Sequence, residues 1–388
     1  DPSLEDMAKI LGASKIKRLL TVTIPLITPG IFSGSIIVFI WALTDLGTPL
    51  LVGYQASIPV QIFNLVTDIN ENPIGFALVV SVIIATGGIF LAGKFAIKNE
   101  RFAMISKGHS TSLSTQASAI QHILIYISSG LLILLALLPH IGVVLTSISE
   151  NWFMSPFPEN YSLEHYKLLF GQNIAYSSIK NSITFASIAT LVDLILGAVI
   201  AYIVTRKTIS GHSILDAIVM IPLALPGIIL AFGYVLTYTD TPLDPLENSI
   251  PLLIIAYSIR RLPYMVRSAS AGLAQVHPSL EEASECFGAS KLYTIRHITL
   301  PLLSANFIAG SLLCFSYSML DVSDSLILAM KDQFYPLTKA IYSFYLEQGN
   351  GEYIASALGI IGMIILSSCI LGASTILGKR LGELFKGG

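Results

Sequence analysis

Long apolar runs separated by short polar stretches set the pattern of this chain. Eight of them approach or exceed the roughly 20 residues that a helix needs to cross a bilayer. They lie near residues 26–52, 75–97, 121–147, 180–205, 213–238, 249–268, 302–330 and 353–378. The run at 249–268 is the least apolar, because Arg260 and Arg261 lie near its end. The pattern predicts an all-α, polytopic membrane protein with eight transmembrane helices.

Composition closes the main alternative. The 388 residues are 53% hydrophobic and 12% charged, whereas a soluble chain carries about 25% charge. Eight such runs cannot all find a place in one soluble core of this length. The net charge of −2 says little, but its placement is informative. With a cytoplasmic start and alternating sides, most basic residues share one side, among them Lys9, Lys15, Lys17, Arg18, Arg206, Lys207, Arg260, Arg261, Lys379 and Arg380. Lys167, Lys331 and Lys339 fall opposite. Basic residues are retained on the cytoplasmic side during insertion, so this sorting predicts the orientation.

The polar stretches contain a repeat. Pro2-Ser3-Leu4-Glu5-Asp6-Met7-Ala8, Gly12-Ala13-Ser14-Lys15 and Val22-Thr23-Ile24-Pro25 return 276 positions later without a gap. The second copy reads Pro278-Ser279-Leu280-Glu281-Glu282-Ala283-Ser284, Gly288-Ala289-Ser290-Lys291 and Ile298-Thr299-Leu300-Pro301. Each copy leads straight into an apolar run, which indicates duplicated architecture. The expected organisation is a first unit over 1–105, a Ser/Thr-rich cytoplasmic linker over 106–119 and a six-span second unit over 120–388. Four spans precede the second motif and none precedes the first. The expectation is therefore that the first four spans of a longer protein are absent from this sequence or encoded elsewhere.

The motif has a local physical logic. Pro278 suits a helix start, where its missing N–H costs little. Ser279, Glu281 and Glu282 suit a first turn, with a hydroxyl cap and acids at the positive end of the dipole. Ala283 and Ser284 are small enough to admit another surface, and Gly288 permits a sharp turn. The prediction is helix, turn, helix at the membrane face.

These residues resemble the cytoplasmic loop of permease subunits in binding-protein-dependent ABC importers: Glu-Ala-Ala, three residues, Gly, nine residues, Ile-x-Leu-Pro. The second copy keeps the spacing with Glu282-Ala283-Ser284, Gly288 and Ile298-Thr299-Leu300-Pro301. The first copy departs further, with Asp6-Met7-Ala8 ahead of Gly12. The resemblance implies a type I importer permease core with two loops docking on a cytoplasmic ABC ATPase in two copies. Asp6 and Glu282 would be anchoring acids, Met7, Ala8, Ala283 and Ser284 contact positions, and Gly12 and Gly288 turns. It also implies an external or periplasmic substrate-binding protein, with ATP and Mg held by the ATPase and no cofactor bound by this chain. The surroundings would be membrane lipid in the inner membrane, with no nucleic acid. Thr44-Asp45-Leu46-Gly47-Thr48-Pro49 and Pro222-Leu223-Ala224-Leu225-Pro226-Gly227 resemble the branch with two fused units, which implies ferric iron, with thiamine and aminoethylphosphonate as alternatives.

Acids within apolar runs are expensive and usually face a cavity or a partner. Asp45 and Asp321 share one repeat position, Asp324 lies one turn beyond Asp321, and Asp193 sits in another run. Asp45, Asp321 and Asp324 are pathway candidates, since ferric iron favours hard oxygen ligands; a helix-packing hydrogen bond is the competing reading. Pro222 and Pro226 predict a kinked span. Gly88 to Lys94 imitates a phosphate-binding loop, but Phe95 replaces the required Ser or Thr and no strand precedes it. The three cysteines, Cys286, Cys314 and Cys369, and the seven histidines show no metal or catalytic spacing. No catalytic residue, metal site or enzymatic activity is expected. A secondary transporter with internal repeats is the competing class.

Overall fold

The computed structural model describes residues 2–65, 74–97, 118–207 and 209–386. The linker read at 106–119 lies almost wholly outside these residues. The described chain is helical, with one isolated bridge between Ser149 and Tyr161. It starts with α1 (Pro2–Ile10), α2 (Lys15–Arg18), α3 (Ile24–Leu43), α4 (Gly47–Leu51), α5 (Ile58–Leu65) and α6 (Ile74–Ile97). Next come α7 (Ala119–Ile148), α8 (Glu164–Phe170), α9 (Asn173–Arg206), α10 (His212–Ala224), α11 (Gly227–Tyr238) and α12 (Ser249–Gln275). The last stretch holds α13 (Ser279–Cys286), α14 (Lys291–Thr294), α15 (Leu300–Leu302), α16 (Ser304–Met319), α17 (Ser323–Leu328), α18 (Leu337–Tyr345) and α19 (Gly351–Lys386).

The duplication is structural as well as sequential. A helix, a left-handed glycine, a short helix and a π-helical turn lead into a longer helix in both copies. The π turns occupy Leu19–Thr23 and Ile295–Thr299. After Asp45 or Asp321 comes a short helix, α4 or α17, then α5 or α18, then the long α6 or α19.

Two compact units are present. One comprises residues 1–45 and 76–140, the other residues 46–75 and 141–388. In the second, α9, α12 and α16 form the core. Small residues let these helices approach: Gly197 of α9 and Gly310 of α16 both face Met265 of α12, where an added Cβ would lie 2.4 Å and 2.8 Å from its side chain. Ala201, Val266, Ala269, Leu273 and Leu303 continue this core. A second cluster joins α8, α18 and α19 through Leu169, Leu337, Phe344 and Leu358.

Local chemistry sets several boundaries. Asn248 caps α12 by accepting from the Ile250 N–H at 3.1 Å. The predicted kink falls at Pro226, not Pro222. Leu225 before it is extended (φ −95°, ψ 131°), as the ring of a following proline demands, while Pro222 stays inside α10.

By length and composition, three described helices could each cross a membrane, Ala119–Ile148, Asn173–Arg206 and Gly351–Thr375. Two bent pairs raise this to five. The runs at 26–52 and 75–97 supply α3 and α6, apolar helices of 20 and 24 residues. The run at 26–52 is divided at Thr44, and that at 302–330 ends its main helix at Met319. The run at 249–268 belongs to a helix that continues to Gln275, with Arg260 and Arg261 in its interior. They stand in the helix interior rather than near its end, and the structure buries them in ion pairs between helices.

Candidate functional site

The second loop is built around a turn and two opposed acids. Gly288 sits at φ +86° with open space around it, so backbone conformation alone selects glycine. Ser290 accepts from the Tyr293 N–H at 3.3 Å and caps α14. Ser284 shares a 2.8 Å hydrogen bond with Thr294, tying α13 to α14. Along α13, neighbours project about 100° apart, so Glu281 and Glu282 cannot face the same way. Glu281 is buried, whereas Glu282, Ala283 and Gly288 are exposed. Phe287 at the turn is 93% exposed. A shallow depression of about 820 Å³ runs beside α13, lined by Leu280, Ala283, Phe287 and Tyr293 among others.

Glu281 is bonded internally. Its Oε1 accepts from Arg206 Nη2 at 2.9 Å and from Thr299 Oγ1 at 3.1 Å. Arg206 Nη2 also donates to the Val276 carbonyl at 3.1 Å.

The first loop repeats much of this. Gly12 has φ +80° in open space, and Ser14 accepts from the Lys17 N–H at 3.3 Å. Thr23 Oγ1 donates to Glu5 Oε1, the same pairing as Thr299 with Glu281. Asp6 and Ala8 are half-buried, and Met7 and Gly12 are exposed. Leu11, at the position of Phe287, is 83% exposed. Ala8 replaces Ser284, so the inter-helix hydroxyl bond belongs to the second loop.

A second constellation lies in the core of the larger unit. Arg260 Nη1 donates to Asp321 Oδ2 at 2.8 Å and to Asp324 Oδ2 at 3.0 Å. Arg261 Nη2 donates to Asp321 Oδ2 at 2.7 Å and to the Tyr317 carbonyl at 2.9 Å. Asp321 Oδ1 accepts from the Asp324 N–H at 2.9 Å at the start of α17. Tyr257 meets Ser325 at 2.6 Å. Asp321 and Asp324 are therefore brought together, whereas Asp45, at the first repeat's equivalent position, is exposed. Asp193 is fully buried in α9. On α18, Lys339 donates to the Leu326 carbonyl at 2.8 Å, and burial holds its ammonium below the usual lysine range.

Sequence reading did not link Glu281 and Thr299 of the loop with Arg206 at the end of α9. The Glu5/Thr23 and Glu281/Thr299 matches in the repeat were the available signal. It also missed that Arg260 and Arg261 are the partners of Asp321 and Asp324, because they stand some 60 positions apart.

Comparison with known proteins gives a consistent family. The family described as binding-protein-dependent transport system inner membrane component matches residues 1–102 and 193–383. The ferric transport system permease protein FbpB of Actinobacillus pleuropneumoniae is 28% identical over 97% of this chain and 55% of its own length. The chain thus spans about half the length of that relative. The putative 2-aminoethylphosphonate transport system permease protein PhnV of Salmonella typhimurium is 24% identical over 66% of this chain and 94% of its own. Among solved structures, a bacterial ABC transporter involved in import of the acidic polysaccharide alginate shares the fold, with a TM-score of 0.53. It is 19% identical, over 67% of this chain and 96% of that one. The chain belongs to the family of binding-protein-dependent transport system inner membrane components.

Proposed function

We propose that this family member forms part of the translocation path of an ATP-driven importer, and that its two loops engage two copies of a separate cytoplasmic ATPase. One observation supports this above others: the same loop is built twice. Each copy has a left-handed glycine, a capped short helix, a Glu–Thr bond (buried in the second loop, exposed in the first) and an exposed large apolar residue at the turn. Asp6 and Glu282 are the proposed anchoring acids, with Met7, Ala8, Ala283 and Ser284 as contact positions and Gly12 and Gly288 as turns. ATP and Mg belong to the ATPase. A binding protein outside the membrane delivers the solute. The coupling is a two-state equilibrium biased at a distance by nucleotide.

Ferric iron is the proposed solute, because the relative aligned over 97% of the chain is named for ferric transport. Asp45, Asp321 and Asp324 are candidates to line its path. For Asp321 and Asp324, the bonds to Arg260 favour a second reading, in which they brace α17 against α12.

The test is ATP hydrolysis by the complete transporter, reconstituted with its ATPase and binding protein. Stimulation by the ferric-loaded binding protein is expected. Stimulation only by thiamine- or aminoethylphosphonate-loaded protein would keep the class and replace the ion. No stimulation by any loaded protein, in an assembly shown to be intact, would overturn the importer reading.

A further inference from the structure

We infer that Glu281 and Arg206 form a latch that passes movement of the second loop into α9 and α12, a positioning role that rests on the coupling reading above. Side by side in sequence, Glu281 and Glu282 look like two equivalent acids for a partner. The structure separates them. Glu282 faces outward, while Glu281 turns inward and is held by Arg206 and Thr299 at 2.9 Å and 3.1 Å.

Arg206 is the hub. It is the last residue of α9, and its side chain reaches the last turn of α12, donating to the carbonyls of Leu273 and Val276 at 3.5 Å and 3.1 Å. A guanidinium suits that place, since its donors fan out in one plane and its charge complements the carbonyl end of a helix. Thr299 belongs to the π turn that leads into α15 and α16. One carboxylate therefore ties the loop helix to the ends of α9 and α12 and to the entry of α16. The Arg206 and Glu281 side chains are each only 12% exposed, so the pair is largely shielded from solvent and screened less by salt than an exposed one. The carboxylate-to-threonine bond returns as Glu5 and Thr23 in the first loop, so it belongs to the repeated design.

Without the latch, the loop would still dock on the ATPase but would slip against the helices. The experiment compares Glu281→Gln, Arg206→Gln, Arg206→Lys, Thr299→Val and Glu282→Ala in the complete transporter. It measures ATPase association, hydrolysis stimulated by loaded binding protein, and solute moved per ATP. Glu281→Gln and Arg206→Gln should keep ATPase association yet lower solute per ATP about 5-fold or more, the low end of typical coupling energies. Arg206→Lys should recover part of the ratio. Thr299→Val keeps the ion pair, covers the case in which the other variants fail to assemble, and should show a smaller drop. A merely structural role would lower the amount of transporter and leave the ratio per assembled complex unchanged; that result would overturn the latch. Loss of association in Glu281→Gln would also overturn it, by making Glu281 a partner contact. The coupling reading fails separately, if Glu282→Ala leaves association and transport intact.

Discussion

Gly227 lies directly against the guanidinium of Arg260: a Cβ at position 227 would sit 2.4 Å from Nη1. Gly227 opens α11 just after the break at Pro226, so this stretch of sequence both ends one helix and clears space for a buried charge. Arg260 cannot easily retreat, because Asp321 and Asp324 hold it. Gly227→Ala is therefore expected to destabilise the larger unit by about 1–3 kcal/mol, as overpacking of a filled core does. Thermal unfolding of the purified transporter in detergent would measure this; an unchanged transition would show that Arg260 has room to move.

The two aspartates of the ion-pair cluster should not be equivalent. Asp321 serves both arginines and caps α17, whereas Asp324 serves Arg260 alone. Asp321→Asn is expected to cost about 3–5 kcal/mol, because it leaves buried cationic groups short of a partner. Asp324→Asn should cost less, since Arg260 keeps Asp321. Folded yield and thermal stability of the two variants give the order. Equal losses would contradict the central place assigned to Asp321.

Asp45 separates bracing from transport. It shares the repeat position of Asp321 but is exposed. If it lines the path, Asp45→Asn should reduce uptake per folded transporter by more than any change in folded yield accounts for. Wild-type uptake at a normal amount of transporter would remove Asp45 from the pathway candidates.

The loop glycines should behave alike. Gly12 and Gly288 have φ of +80° and +86°, with no neighbouring atom that a methyl group would strike. Alanine at either position should cost about 1–2 kcal/mol of local backbone energy. Asn, which tolerates the left-handed region better, should cost less. Protease susceptibility of the loop, measured on the full transporter, reports the difference. Equal resistance of all variants would mean that the turn relaxes freely.

Ser284→Ala converts one feature of the second loop to that of the first. It removes the 2.8 Å bond to Thr294, and its expected cost is about 0.5–1.5 kcal/mol. Association with the ATPase should persist, since Ala8 stands there in the first loop. Lost association would show that the two loops are not interchangeable at this position.

Much of this architecture is local and legible in the sequence itself. Apolar runs determine helices, a proline pushes the preceding residue out of the helical region, glycine admits a left-handed turn, and serine caps the helix that follows. Each acts within a few residues, so the 276-residue repeat announced two copies of one loop. Tertiary structure decided what lies between distant residues. It turned Glu281 inward and left Glu282 outward, joined Arg206 to the loop, and took Arg260 and Arg261 from an expected helix end to a buried cluster with Asp321 and Asp324. The physical reason is that a charge within an apolar helix must find a counter-charge wherever packing brings one close. Helix packing, not sequence spacing, determined which one that was.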